Sequence, residues 1–285
     1  MGEVSIQRDM EFGVHDGDSL TGDLYSPGGP GEGPGNFPAI VALHGGGWKL
    51  GSSESYRYWG PYLAEQGYAV FSVNYRLLQG EKNRYPASVH DSRAAVQFLK
   101  SRSEELRVDP DRIGLMGDSA GAHLSALTAL AGDLPLFADA YAGDPYSGVS
   151  TSVKAVVGIY GVYDMLAQWN HDQVTRPLDQ ITQNLLGKSP MESKWLFYEA
   201  SPMTYTTVDN NQTAFLVVWG SEDDIVDHHS QSEAFVNGLK QAGFFTRTVI
   251  VPGAPHFWMS DPLDEPRSHT AFLAPRLLRF LQDRL

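Results

Sequence analysis

Ser119 stands at the centre of Gly117-Asp118-Ser119-Ala120-Gly121, a G-x-S-x-G pentapeptide. A serine hydroxyl is a weak nucleophile until a neighbouring base takes its proton, and it then attacks acyl carbons. The pentapeptide follows the apolar run 112–116 and opens the alanine- and leucine-rich stretch 119–131. Strand, motif and helix in that order are the context the motif needs. A sharp strand-to-helix turn lifts the central side chain clear of the sheet. Small residues two before and two after it let neighbouring backbones approach, and the helix N-terminus favours developing negative charge. The competing reading is a glycine-bracketed helix cap, where serine is common.

A second motif, His44-Gly45-Gly46-Gly47-Trp48, follows the apolar run 39–43. Consecutive glycines leave backbone N–H groups unshielded, so those of Gly46 and Gly47 can join that of Ala120 on one oxygen, an oxyanion hole. Donors aimed in advance at a tetrahedral oxyanion are worth about 3 kcal/mol each. A plain glycine turn is the alternative.

The elbow motif requires an acid and then a histidine further along the chain. Gly220-Ser221-Glu222-Asp223-Asp224-Ile225-Val226 follows the run 214–219 and offers three adjacent acids. The pattern G-x-x-D-x-x-V selects Asp223, with Asp224 as second choice. His256 lies in the loop Pro252-Gly253-Ala254-Pro255-His256-Phe257-Trp258, past the run 246–251, and is the expected general base. Of the nine histidines, His15, His171, His228, His229 and His269 fall on expected loops or helix faces, and His90 and His123 on helices. His228-His229 could suggest a metal. Adjacent side chains on an α-helix point roughly 100° apart, however, so no metal or other cofactor is expected.

The elements that must hold these residues are legible as apolar runs. Val4 to Phe12 and Leu20 to Tyr25, separated by His15-Asp16-Gly17-Asp18, read as a hairpin. Segments 39–43, 68–73, 112–116, 153–159, 214–219 and 246–251 are apolar on both faces, as strands of a covered parallel sheet are. Helical patterns at 55–66, 88–104, 119–131, 229–242 and 269–284 alternate with them, which implies a doubly wound α/β sheet. Residues 27–36, rich in glycine and proline, read as a surface loop. Residues 160–205 are too long for a structureless connection. They are expected to form a helical cap insertion over the carboxyl edge of the sheet, where ligands of open α/β sheets bind. The whole chain, 1–285, reads as a single domain with this insertion.

Composition narrows the remaining classes. The chain is 42% apolar and 19% charged, ordinary for a globular protein. A net charge of −13 repels phosphate backbones, so nucleic acid is not an expected partner. There is no cysteine, which removes disulfides and thiol catalysis. No signal peptide is visible, and no run reaches the about 18 apolar residues of a membrane span. A soluble cytoplasmic protein is the expectation. Oligomeric state is not readable.

Taken together, His44-Gly-Gly-Gly-Trp48, Val73-Asn-Tyr-Arg-Leu77, Pro86 with Asp91, Val108-Asp-Pro-Asp-Arg-Ile113 and Gly117-Asp-Ser-Ala-Gly-Ala-His-Leu124 carry a family likeness. With the Asp223 and His256 loops, they resemble the esterase and lipase branch of the α/β-hydrolases that includes hormone-sensitive-lipase-like enzymes. The closer likeness is to bacterial carboxylesterases of the feruloyl- and acetyl-esterase type. Many relatives have Gly-Gly-His where this chain has Gly121-Ala122-His123. The resemblance implies the α/β-hydrolase fold, metal-free hydrolysis of small or aryl carboxylic esters, and a pocket bordered by Trp48. Phe257 is the second expected substrate contact, because it also flanks a site motif. Trp169, Trp195, Phe197 and Trp258 are further aromatic candidates, with packing as the alternative for each. An amide hydrolase, such as a formamidase or peptidase, and a ligand-binding module on an inactive scaffold are the other readings.

Overall fold

A computed structural model describes residues 3–28 and 36–285. The glycine- and proline-rich loop expected at 27–36 therefore lies mostly outside the described residues. Eight strands form one sheet: β1 (Val4–His15), β2 (Asp18–Pro27), β3 (Phe37–Leu43), β4 (Ala69–Asn74), β5 (Val108–Asp118), β6 (Ala155–Ile159), β7 (Ala214–Gly220) and β8 (Thr246–Val251). Their spatial order is β1-β2-β4-β3-β5-β6-β7-β8. The first two pairings are antiparallel and the rest parallel. This is the α/β-hydrolase fold.

The β1–β2 hairpin turns on Asp16-Gly17, both at positive φ, with His15 paired to Asp18. Asp-Gly is the sequence that a two-residue hairpin turn of this hand demands. Within the parallel strands, side chains alternate between two cores, as a period of two requires. Val41, Leu43, Val217 and Trp219 face one cluster, and Ile40, Ala42, Leu216 and Val218 the other.

Among the described residues, ten α-helices accompany the strands: α1 (Trp59–Glu65), α2 (Ala87–Ser101), α3 (Ser103–Leu106), α4 (Ala120–Ala131), α5 (Pro135–Ala138), α6 (Met165–Thr175), α7 (Ile181–Leu186), α8 (Lys194–Glu199), α9 (Ala234–Gln241) and α10 (His269–Arg284). Val89 of α2, Leu124 of α4 and Phe235 of α9 enter the first core; Leu63 of α1 and Leu277 of α10 enter the second. Both faces of the sheet are thus covered, which is why its strands read as unbroken apolar runs.

The stretch between β6 and β7 holds α6, α7 and α8. Helix α6 starts where the Asp164 carboxylate accepts from the N–H groups of Leu166 and Ala167, a standard N-cap. No helix among the described residues is long and apolar enough to cross a membrane.

Candidate active site

The strands end in register, and the residues of interest follow their carboxyl ends. Leu43 of β3 pairs with Gly117 of β5, and Gly220 of β7 with Val251 of β8. His44 therefore leaves the sheet beside Ser119, and the Asp223 loop leaves it beside the His256 loop.

Ser119 sits at φ 52, ψ −117, a strained backbone between β5 and α4. The turn is possible because Gly121 has no side chain: a Cβ there would fall 1.8 Å from the Leu43 carbonyl oxygen. The Ser119 Oγ donates to His256 Nε2 at 2.9 Å, and His256 Nδ1 donates to Asp223 Oδ2 at 2.7 Å. The other carboxylate oxygen, Oδ1, accepts from the N–H groups of Ile225 and Val226, both at 3.0 Å. All three residues are buried. Of the three adjacent acids, Glu222 and Asp224 are exposed and only Asp223 meets the imidazole. The Tyr160 ring lies 4.4 Å from that of His256 on one side, and Phe257 contacts it edge-on at 4.4 Å.

The His44–Trp48 loop curls over the serine. Gly46 adopts φ 113, and a Cβ there would lie 2.2 Å from the Leu50 carbonyl oxygen. The Gly45 N–H is donated to Asp118 Oδ1 at 3.0 Å, while Gly46, Gly47 and Ala120 all line the same cavity as Ser119. His44 donates from Nδ1 to the Gly45 carbonyl and stacks on Tyr75, whose hydroxyl donates to the His44 carbonyl. Burial pushes the His44 imidazole down to about 4, so it stays neutral.

Asp118, the variable second residue of the pentapeptide, is a feature that sequence reasoning missed. Besides Gly45, it accepts from the Tyr56 hydroxyl at 3.1 Å and the Tyr160 hydroxyl at 3.4 Å. Burial raises its carboxyl to about 6 even against these donors. His123 is equally structural: it accepts the Trp48 indole N–H at Nδ1 and donates from Nε2 to the Ala200 carbonyl. Burial lowers this imidazole to about 4.

A cavity of ≈ 370 Å³ opens over Ser119 and His256. Trp48 and Phe257 line it, whereas Trp169, Trp195, Phe197 and Trp258 do not. Phe197 and Trp258 are buried in the cores, Trp195 is 70% exposed, and the Trp169 indole is committed to Gln183. The apolar wall comes from Leu50, Val162, Ile181, Ile225 and Val226; a polar wall comes from Gln168, Asp172, Arg176 and Asp179. That polar wall was legible only as a spacing, since Gln168, Asp172 and Arg176 recur every fourth residue.

Two expectations about histidines are corrected. His15 is the last residue of β1 rather than a loop residue: it is 1% exposed, bridging Asp91 Oδ1 at 2.7 Å and Asp144 Oδ2 at 2.8 Å, and stacked on Tyr141. Arg76 joins this cluster through Asp91 and Asp16. His228 and His229 do not splay as on an α-helix. A π-helical turn at His229–Glu233 widens the spiral, and both Nδ1 atoms face the Glu233 carboxylate, at 3.2 and 3.0 Å. These three residues are the one His/Asp/Glu group among the described residues with ligand atoms close enough to share an ion, all within 4.8 Å. They lie outside the Ser119 cavity.

Residues 23–239 match the model of the BD-FAE family. The chain belongs to the BD-FAE family. Among curated proteins similar to this BD-FAE chain, Esterase LipC of Mycobacterium tuberculosis is 31% identical over 81% of the chain and 55% of its own length. Esterase LipQ of the same organism is 29% identical over 83% of the chain and 56% of its own length. Ethyl acetate hydrolase of Pseudomonas putida is 28% identical over 90% and 77% respectively. The chain spans about half the length of the mycobacterial relatives. Among solved structures, a propionate-bound esterase of Thermogutta terrifontis superposes with a TM-score of 0.73 at 23% identity, covering 99% of this chain and 92% of that one. That likeness speaks to the shared fold.

Proposed function

We propose that the protein is a serine carboxylesterase acting on small or aryl esters, with α6–α8 as a cap over the serine. The observation that carries this reading is the continuous hydrogen-bond line Ser119–His256–Asp223 at the floor of a mostly apolar cavity. The esterase names of its relatives support it.

In this mechanism Ser119 Oγ attacks the ester carbonyl carbon as its proton passes to His256 Nε2. Asp223 fixes the tautomer that leaves Nε2 free to accept and stabilises the imidazolium. The N–H groups of Gly46, Gly47 and Ala120 hold the tetrahedral oxyanion. His256 then gives its proton to the departing alcohol oxygen, leaving an acyl-Ser119. Water, deprotonated by the same imidazole, attacks the acyl carbon; the bond to Ser119 Oγ then breaks as the imidazolium returns its proton to Oγ, and the acid leaves. No step calls for a metal or an organic cofactor.

The test is turnover of p-nitrophenyl acetate, butyrate and octanoate by wild type and Ser119→Ala. The expected result is turnover by wild type that falls at least about 10³-fold in the variant. A fully active variant overturns the assignment of Ser119. A wild type inactive on all three esters moves the reading to amides.

A further inference from the structure

His228, His229 and Glu233 belong to the turn that follows the Asp223 loop, outside the Ser119 cavity. At about 100° per residue, a step of five lands about 140° round an α-helix, where Glu233 could not face both histidines. The π-turn removes that obstacle. Its wider winding is closed by the Glu233 N–H, which donates to the His228 carbonyl at 2.8 Å. The Glu233 carboxylate then meets both imidazoles: His228 Nδ1 lies 3.2 Å from Oε1 and His229 Nδ1 3.0 Å from Oε2. Such turns are rare, and they recur at functional sites.

Groups outside the cluster hold the turn in this shape. Gln231 is fully buried; its Oε1 accepts from the N–H groups of Tyr163 and Asp164 at 2.7 and 2.9 Å, and its Nε2 donates to the Asp164 carbonyl at 2.8 Å. Asp227 caps the turn by accepting from the Ser230 N–H at 3.0 Å. The turn is thus anchored to the segment after β6, while the His229 side chain is 72% exposed and open to an arriving ion.

The three side chains select the ligand. The rings of His228 and His229 are 4.1 Å apart and share one carboxylate. Two imidazolium groups at that separation repel each other, so protons cannot serve both well. One divalent cation can, by taking a lone pair from each neutral imidazole and from a carboxylate oxygen. All the ligand atoms lie within 4.8 Å of one another. Metal–ligand bonds of zinc place tetrahedral ligand atoms about 3.3 Å apart, close to the two His–Glu separations. Imidazole nitrogens suit zinc and its neighbours, whereas calcium and magnesium take oxygen ligands. We propose that His228, His229 and Glu233 bind one divalent transition-metal ion of the zinc class, with a fourth position open to water. The site does not depend on the reading of Ser119. Its ion braces the turn behind the Asp223 loop and takes no part in the reaction.

The test is calorimetric titration of Zn2+ into the untagged chain, stripped beforehand with a chelator, with melting temperatures measured in parallel. Wild type should bind one equivalent and melt higher as zinc is added. His229→Ala, which changes an exposed side chain, and Glu233→Gln should each weaken binding at least about tenfold and lose the zinc-dependent rise in Tm. No saturable binding by wild type overturns the site, and so does binding by both folded variants as tight as that of wild type. Neither readout involves ester turnover, so failure here leaves the esterase reading standing.

Discussion

The backbone N–H of Gly45 is donated to the side chain of Asp118 at 3.0 Å, tying the loop after β3 to the strand that presents Ser119. In the proposed mechanism the donors must be in place before the charge develops, and this bond sets the glycine loop against the elbow. Tyr56, whose single hydroxyl proton lies between the same carboxyl oxygen at 3.1 Å and the Leu43 carbonyl at 3.2 Å, braces the joint.

Asp118→Ala should therefore lower kcat on p-nitrophenyl butyrate by roughly tenfold or more, with a smaller change in KM. Asp118→Asn retains one acceptor oxygen and should keep most of the activity. Steady-state kinetics on both variants, with melting temperatures to show that they fold, checks this. Wild-type kcat in a folded Asp118→Ala protein would sink it.

Gly121 offers a test through stability. A Cβ at this position would press on backbone oxygens of Leu43 and His44, neither of which can swing away. Gly121→Ala should cost about 2 kcal/mol or more in urea denaturation and reduce activity, as the elbow is pushed off β3. Gly148, where a Cβ meets nothing within 4 Å, is the control; its alanine variant should stay within about 0.5 kcal/mol of wild type.

Acid should destabilise the fold through its buried imidazoles. His44, His90 and His123 are each lowered by burial to about 4. The unfolded chain takes up a proton at each near pH 6.5 and the folded chain does not, so stability is complete above that value and is lost as pH falls towards 4. Three groups oppose the trend, of which His229, raised by Glu233, is exposed and screened by solvent. Asp118, raised by burial to about 6, favours the folded form on acidification through the same window. The pKa of His15 is raised overall because its two carboxylate partners outweigh desolvation, so its contribution is present below its unfolded value and is lost as pH rises through the folded one. Because the three buried imidazoles carry the larger shifts, the urea midpoint should be lower at pH 5 than at pH 7. His90→Phe should make that fall smaller, and an equal fall in the variant would refute the assignment.

The positions of Ser119, the glycine loop, Asp223 and His256 were readable because each follows an apolar run that could only be a parallel strand. Local pattern and sheet topology deliver them to one edge. The strands themselves run longer than the apolar runs: β5 begins at Val108 and includes Asp109, Pro110 and Asp111, which no hydrophobic pattern would place in a sheet. The polar wall of α6 escaped notice because polar residues at helical spacing ordinarily mark the solvent face. Here that face looks into a cavity. His15 was misplaced because its partners Asp91 and Asp144 are far away in sequence, and burial of a histidine between two carboxylates leaves no local trace. The π-turn at His229–Glu233 likewise depends on register, to which an α-helical projection is blind.

Leu43 and Gly117 are hydrogen-bonded neighbours on adjacent parallel strands. The strands that lead into the glycine loop and into the serine therefore stand one sheet spacing apart, about 4.8 Å, set by main-chain atoms that every residue type shares. The helices between β6 and β7 have no part in that ruler. In the proposed mechanism, α6 can therefore be altered without moving the glycine loop relative to Ser119.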